Sequence, residues 1–284
     1  MTQDGTGSVT GLWRFPVKSM KGEQLSEVEL TAQGLLGDRA YGLIDLATAQ
    51  VASAKSVHLF PGLLDCTAAY IDTPKPGRAS PPVRITLPDG QSATSDAPAI
   101  ERMLSAYFQR EVRLGRAAPE NFAVYEYHPD QFVRPPLDAA FLDALTKASV
   151  GPGGGFFDLM PLSLITNSTL ARLAELSPHA RFDARRFRMN VIVDWEEPGF
   201  PENHWVGREV ALGADARVRV ALLDPRCAMT TLAQGDLPHD PEVLRTMADH
   251  NRILVAGKEY PCAGVYTSVV APGMLRTGDR VWVG

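Results

Sequence analysis

The run VALLDPRCAMTTLAQG, Val220 to Gly235, sets strand chemistry directly against turn chemistry. The apolar residues Val220 to Leu223 read as a strand, Pro225 stops it, and Cys227 follows Arg226 just ahead of the pair Thr230 and Thr231. The chain holds only three cysteines, Cys66, Cys227 and Cys262, so one placed at a strand end asks for a reason. One reading is a small buried hydrophobe, a common place for free cysteine. The other is chemical. A guanidinium beside a thiol favours the thiolate, which binds metals and attacks electrophiles. A soft thiolate suits a soft or high-valent metal better than magnesium or calcium.

Working outward, short strand patterns dominate. REVALG (208–213) and VRVALLD (218–224) read as a paired segment, and GVYTSVV (264–270) and DRVWVG (279–284) as closing strands. LMPLSLIT (159–166) reads as a buried strand and RRFRMNVIVD (185–194) as another. Upstream, SVTGLWRF, LSEVEL and RAYGLIDL are strand candidates, with loops at PVKSMKG and TAQGLLGD. VRITLPDGQSA predicts a hairpin turning at Asp89-Gly90. Helices are fewer. Ile100, Leu104 and Phe108 recur at steps of four on one face. NSTLARLAEL predicts a helix capped near Asn167, with Leu170, Leu173 and Leu176 inward. LDAAFLDALTKA carries Phe141, Leu142 and Leu145, and DPEVLRTMADHNR predicts a helix capped by Asp240 with Pro241 first. VGPGGGFFD, with Gly151 and Gly153 to Gly155, reads as a flexible boundary. The expected fold is mixed α/β (α+β) but β-rich: a β-barrel core decorated by helices, plus a smaller β-barrel-like N-terminal domain. The expected division is residues 8–125 and 126–284.

The totals narrow the chemistry. The 284 residues are 45% hydrophobic with a formal charge of −5, ordinary for a globular chain and contrary to general nucleic-acid binding, which needs a basic surface. No apolar run is long enough to span a bilayer, and the first residues lack signal-peptide features. The expectation is a cytoplasmic protein without a membrane partner. Three unspaced cysteines fit no disulfide framework, no C-x-x-C redox site and no four-thiolate cluster. Electrons, if moved, must come through another cofactor.

Other candidates can now be set beside Cys227. On a strand, Arg186, Arg188 and Asn190 share one face, either as a grip for phosphate or a polar heterocycle, or as a solvated face. Lys18, Ser19 and Lys21 fall in one loop and Arg39 follows Asp38 in another. Each alone is a surface charge; together with the arginines they would make an anion pocket in an acidic protein. Asp224 and Asp236 flank the cysteine segment as candidate proton donors, although acids at strand ends and in loops are more often solvated. Cys66 reads as core, and Cys262 as packing more than as part of a pocket. The six histidines show no metal-ligand spacing.

Taken in order, FPVKSMKG, GLLGDRAYGLID, RRFRMNVIV, DPRCAMTT and TGDRVWV resemble the MOSC proteins, in particular those with an additional N-terminal β-barrel, such as the mitochondrial amidoxime-reducing component and its bacterial counterparts. The resemblance runs from about Val9 to Gly284. It implies a molybdenum-pyranopterin cofactor (Mo-molybdopterin) with Cys227 as metal ligand and catalytic residue. Lys18, Ser19, Arg39, Arg188, Asn190, Arg226 and Tyr266 fall on the family's cofactor-binding positions. It further implies an oxidoreductase acting on a small N-oxygenated substrate, an amidoxime or hydroxylamine, with electrons from an external ferredoxin-like or flavin reductase donor. The alternative is a cofactor-binding or sulfur-carrier protein without turnover of its own. Where relatives carry small hydroxyl residues before PLSLIT, this chain has Leu159 and Met160. The segment after Thr231 also departs from the best-studied reductases and implies a bacterial subgroup.

Overall fold

The computed structural model describes residues 6–117, 155–255 and 257–284. The helix expected over 137–148, the glycine run up to Gly154 and the 125/126 division lie outside the described residues.

Seven strands close into a barrel. Thr6–Arg14 pairs with Arg280–Val283, which pairs with Glu209–Leu212, then Ala216–Pro225, Lys258–Ala271, Leu162–Thr166 and Val191–Trp195, which returns to Thr6–Arg14. The Leu162–Thr166 and Val191–Trp195 pairing is parallel and the others are antiparallel. Closure leaves no unpaired edge along these strands. Alternation in the sequence decides what points inward. Val191 and Val193, Val210 and Leu212, Val218 and Val220, and Val281 and Val283 are buried in one core. Arg217 and Arg219, which alternate with Val218 and Val220, are exposed.

The first strand belongs to this barrel, so the two ends of the chain are laced together. Glu27–Thr31 likewise pairs with Gly273–Arg276. The remaining N-terminal residues build a second core. One small sheet holds Tyr41–Asp45, Gln50–Val51 and Val112–Arg116, and another Thr67–Tyr70, Val83–Thr86 and Ser92–Thr94. Helix Ile100–Phe108 covers them with Ile100, Leu104 and Phe108, the three residues its periodicity picks out. The Asp89-Gly90 turn joins its hairpin as expected.

Helices Asn167–Leu176 and Glu242–His250 pack outside the barrel. They bury Leu173, Val243 and Met247 against Ile165, Ile192 and Ala263. The first is capped by Thr166, whose side chain accepts from Thr169 N at 3.1 Å, one residue before the expected cap, and Leu173 is the leucine fully buried. The second starts as expected: Asp240 Oδ1 accepts from Glu242 N at 3.1 Å and Pro241 sits at φ −63°. Among the described residues no helix is long and apolar enough to cross a membrane.

Candidate functional site

A cleft opens where the barrel meets the N-terminal loops. It spans about 740 Å³ with its open mouth included. Cys227 reaches it because strand Ala216–Pro225 ends two residues earlier and a short 3-10 turn, Ala228–Thr231, takes over. Cys227 is half-buried. Its carbonyl accepts from Thr230 N at 3.2 Å and Thr230 Oγ1 at 3.0 Å, so the neighbouring hydroxyl shapes the turn.

Arg226 pairs with Asp224, and its backbone N–H donates to Pro261 O at 2.8 Å. Burial disfavours the Arg226 charge and Asp224 restores it. Asp224 is 1% exposed, a correction to the solvated reading. Burial pushes its carboxyl up to about 6, against the pull of Arg226. Among the described residues, Asp224 Oδ1 and Arg226 Nε are buried without a hydrogen-bond partner, an unmet demand beside the cleft. Tyr266 lines the cleft from the adjoining strand. Burial, with Asp224 and Asp158 adding to it, pushes its phenol well above the usual range, so the hydroxyl stays protonated. One residue before Val265 turns into the core, at Gly264, φ is +78° and a Cβ would stand 2.6 Å from Leu164 O, so glycine is required at this irregular point of the strand.

The expected strand over Arg186, Arg188 and Asn190 is overturned. Residues Ala184–Phe187 form one helical turn capped by Asp183, Arg188 is left-handed at φ 54°, and the strand starts only at Val191. The three side chains therefore part company. Arg186 donates to the carbonyls of Arg181, Thr230, Leu232 and Pro238, so it clamps the cysteine turn. Asn190 donates to Trp13 O at 3.1 Å and Asp38 Oδ2 at 3.0 Å, and its Oδ1 accepts from Ser163 N and Oγ. With both amide hydrogens spent, Asn190 braces the cleft wall from within. Arg188 alone keeps capacity. It donates to Met20 O at 2.8 Å and lies 4.3 Å over the Phe15 ring. Among the described residues it has no ion pair. Burial, reinforced by Arg39, pulls its guanidinium down to about 9.

The opposite wall comes from the N-terminal loops. Lys18 pairs with Asp158 and donates to Phe156 O at 3.1 Å. Arg39 pairs with Asp38, donates to Arg188 O at 3.2 Å and stacks 4.3 Å over Phe15. Ser19 Oγ accepts from Ala54 N at 3.1 Å. Ser19, Arg39 and Arg188 are three of the five non-glycine residues with positive φ among the described residues. Such backbone costs about 1–3 kcal/mol at each position and concentrates at functional sites. All eight candidate residues thus line one cleft. Lys21 and Asp236 do not; they border a neighbouring hollow with Trp13 and Gln234. Cys66 and Cys262 are core residues with thiols pushed up to about 12 by burial.

Sequence reasoning missed Lys55 and Asp158. Lys55 Nζ lies 3.1 Å from Asp158 Oδ2. Burial opposes ionisation of Asp158, but Lys18 and Lys55 hold its carboxyl well below the usual carboxylate range. Asp158 closes the glycine-rich run, where an acid reads as loop polarity, so no local pattern marks it.

Comparison with known proteins agrees with this architecture. The MOSC domain profile matches residues 155–282 and the MOSC N-terminal beta barrel domain profile matches residues 6–111. This is a MOSC-domain protein. The Mitochondrial amidoxime reducing component 2 proteins of Macaca fascicularis and Homo sapiens are each 25% identical over 288 residues, spanning 97% of this chain and 83% of theirs. The solved YUAD protein from Bacillus subtilis aligns over 100% of this chain and 98% of its own at 12% identity and a TM-score of 0.46.

Proposed function

We propose that this MOSC-domain protein is a molybdenum-cofactor oxidoreductase that reduces N-hydroxylated compounds, amidoximes or hydroxylamines, with electrons from a separate donor protein. One observation carries the reading: a half-buried thiol, Cys227, opens into a cleft whose cations come from segments as distant as Lys18, Arg39, Arg188 and Arg226. The donor set fits the cofactor. A thiolate suits molybdenum, and guanidinium and ammonium groups suit a phosphate. Arg226 Nε and Asp224 Oδ1, which have no partner among the described residues, suit a ligand rich in hydrogen-bonding edges. When bound, the group would supply the two-electron chemistry.

The chain's own residues have separable tasks. Cys227 would hold the metal, while Lys18, Arg39 and Arg188 would bind the phosphate end. Ser19 positions the lysine loop through Ala54, Asn190 braces the wall, and Tyr266 offers a protonated hydroxyl. Distant similarity to the amidoxime reducing components supports the substrate class. The test is molybdenum and pterin analysis of the purified protein with a benzamidoxime assay using an artificial donor. Loaded protein that never turns over removes the reductase reading. A persulfide on Cys227 in metal-free protein favours sulfur carriage instead.

A further inference from the structure

Two lysines of the cleft already hold an anion that belongs to the chain. Asp158 gives one carboxylate oxygen to Lys18 Nζ and the other to Lys55 Nζ, the latter at 3.1 Å. The Lys18 side chain keeps 10% exposure and that of Asp158 34%, so the carboxylate lies on the more open side of a buried ammonium. A buried ammonium needs a counter-charge, and Asp158 meets that need. A carboxylate and a phosphate approach cationic donors in the same two-oxygen way. An ammonium has three N–H donors, so the competition is for charge and for the bridging position: two anions set across the same pair of Nζ groups repel each other.

We infer that Asp158 is a specificity-determining residue: it occupies the seat between Lys18 and Lys55 until a dianionic oxyanion, such as a phosphomonoester, displaces it, and it thereby excludes monoanions. The inference rests on the cleft being an anion site, as proposed above. A monoanion entering this seat exchanges one charge for an equal one and gains nothing. A dianion brings a second charge to two ammonium groups, and it can also draw on Arg188, which has no carboxylate of its own among the described residues. Asp158 is ionised at neutral pH, held so by the same two lysines, so it is a true competitor rather than a neutral spacer.

The experiment titrates sulfate, inorganic phosphate and acetate into the full chain by calorimetry near neutral pH, comparing wild type, Asp158→Asn and Asp224→Asn. Asp158→Asn is expected to bind sulfate and phosphate at least about tenfold more tightly, and to bind acetate measurably, because an adjacent competing charge is gone. Asp224→Asn removes a carboxylate of the same cleft that does not sit on the lysines, and is expected to change affinity by about threefold at most. Unchanged or weaker sulfate binding in Asp158→Asn, an equal gain in Asp224→Asn, or no sulfate binding by any of the three overturns the inference. Carbon-13 carboxyl NMR of the wild type removes the risk that a variant misfolds. Saturating sulfate must move the Asp158 signal and acetate must not; an unmoved signal at saturating sulfate overturns the inference as well. Absence of molybdenum from the purified protein would end the oxidoreductase reading and leave these anion measurements standing.

Discussion

The two walls of the cleft are built from different kinds of structure. The Cys227 wall is made of barrel strands: Arg226 and Cys227 continue from the end of one, and Tyr266 sits within its neighbour. The facing wall is made of loops held in left-handed backbone at Ser19 and Arg39, with Arg188 between the two. Strand ends are positioned by ladder hydrogen bonds that the barrel supplies anyway. The loop wall has no ladder and must be fixed by side chains, which is what Asn190, Asp38 and the Phe15 ring do. The contrast explains why the loop wall depends on a buried side-chain network, whereas the cysteine wall adds the Arg186 clamp to strands already held by their ladders.

Several changes would break or sharpen that contrast, the largest first. Cys227→Ser should cut molybdenum content and turnover at least a hundredfold, an effect of about 3 kcal/mol or more, while the thermal midpoint of the metal-free protein stays unchanged; metal analysis and calorimetry report both. Asn190→Ala should do the reverse, lowering stability by about 2–3 kcal/mol in urea titration, because Asp38, Trp13 O and Ser163 lose buried partners. It should also weaken sulfate binding, since the loop wall loosens.

Changes of charge separate the walls. As pH falls through about 6, Asp224 takes up a proton, the cleft becomes more positive, and sulfate should bind more tightly. The step is about 0.6 kcal/mol, at most roughly threefold. Asp224→Asn should erase this step; a step that survives the change would assign it to another group. Arg188→Met should weaken sulfate binding throughout the neutral range, where the guanidinium is charged. The smallest effect is expected at Ala49, left-handed at φ 57° in a turn away from the cleft. Ala49→Gly should stabilise the protein by about 1 kcal/mol without altering sulfate affinity. Ser19→Gly relieves similar backbone but removes the acceptor for Ala54 N, so its sulfate affinity should fall.

Much of the barrel was legible because period-two alternation survives wherever a strand has one wet face. Val218 and Val220 against Arg217 and Arg219 are the clearest case. The same reasoning failed at Arg186–Asn190. Alternation there is accidental: Asp183 caps a helical turn, and Arg188 adopts a left-handed conformation that no arginine announces. Asp224 was misjudged for a related reason. Its burial depends on the strands and loops that cover it, and a strand-end position in the sequence carries no trace of them.

What the chain determined by itself was the alternation that builds the barrel, the helix faces at Ile100, Leu104 and Phe108, and the placement of a cysteine beyond a proline-terminated strand. These are local properties, set by the two- and four-residue repeats of backbone geometry. What only the tertiary structure decided was which charges meet. Lys18, Arg39, Asp158 and Cys227 come together because Thr6–Arg14 closes the barrel against strands nearly two hundred residues or more away. Electrostatic partners act through distance in space, and a sequence records only distance along the chain.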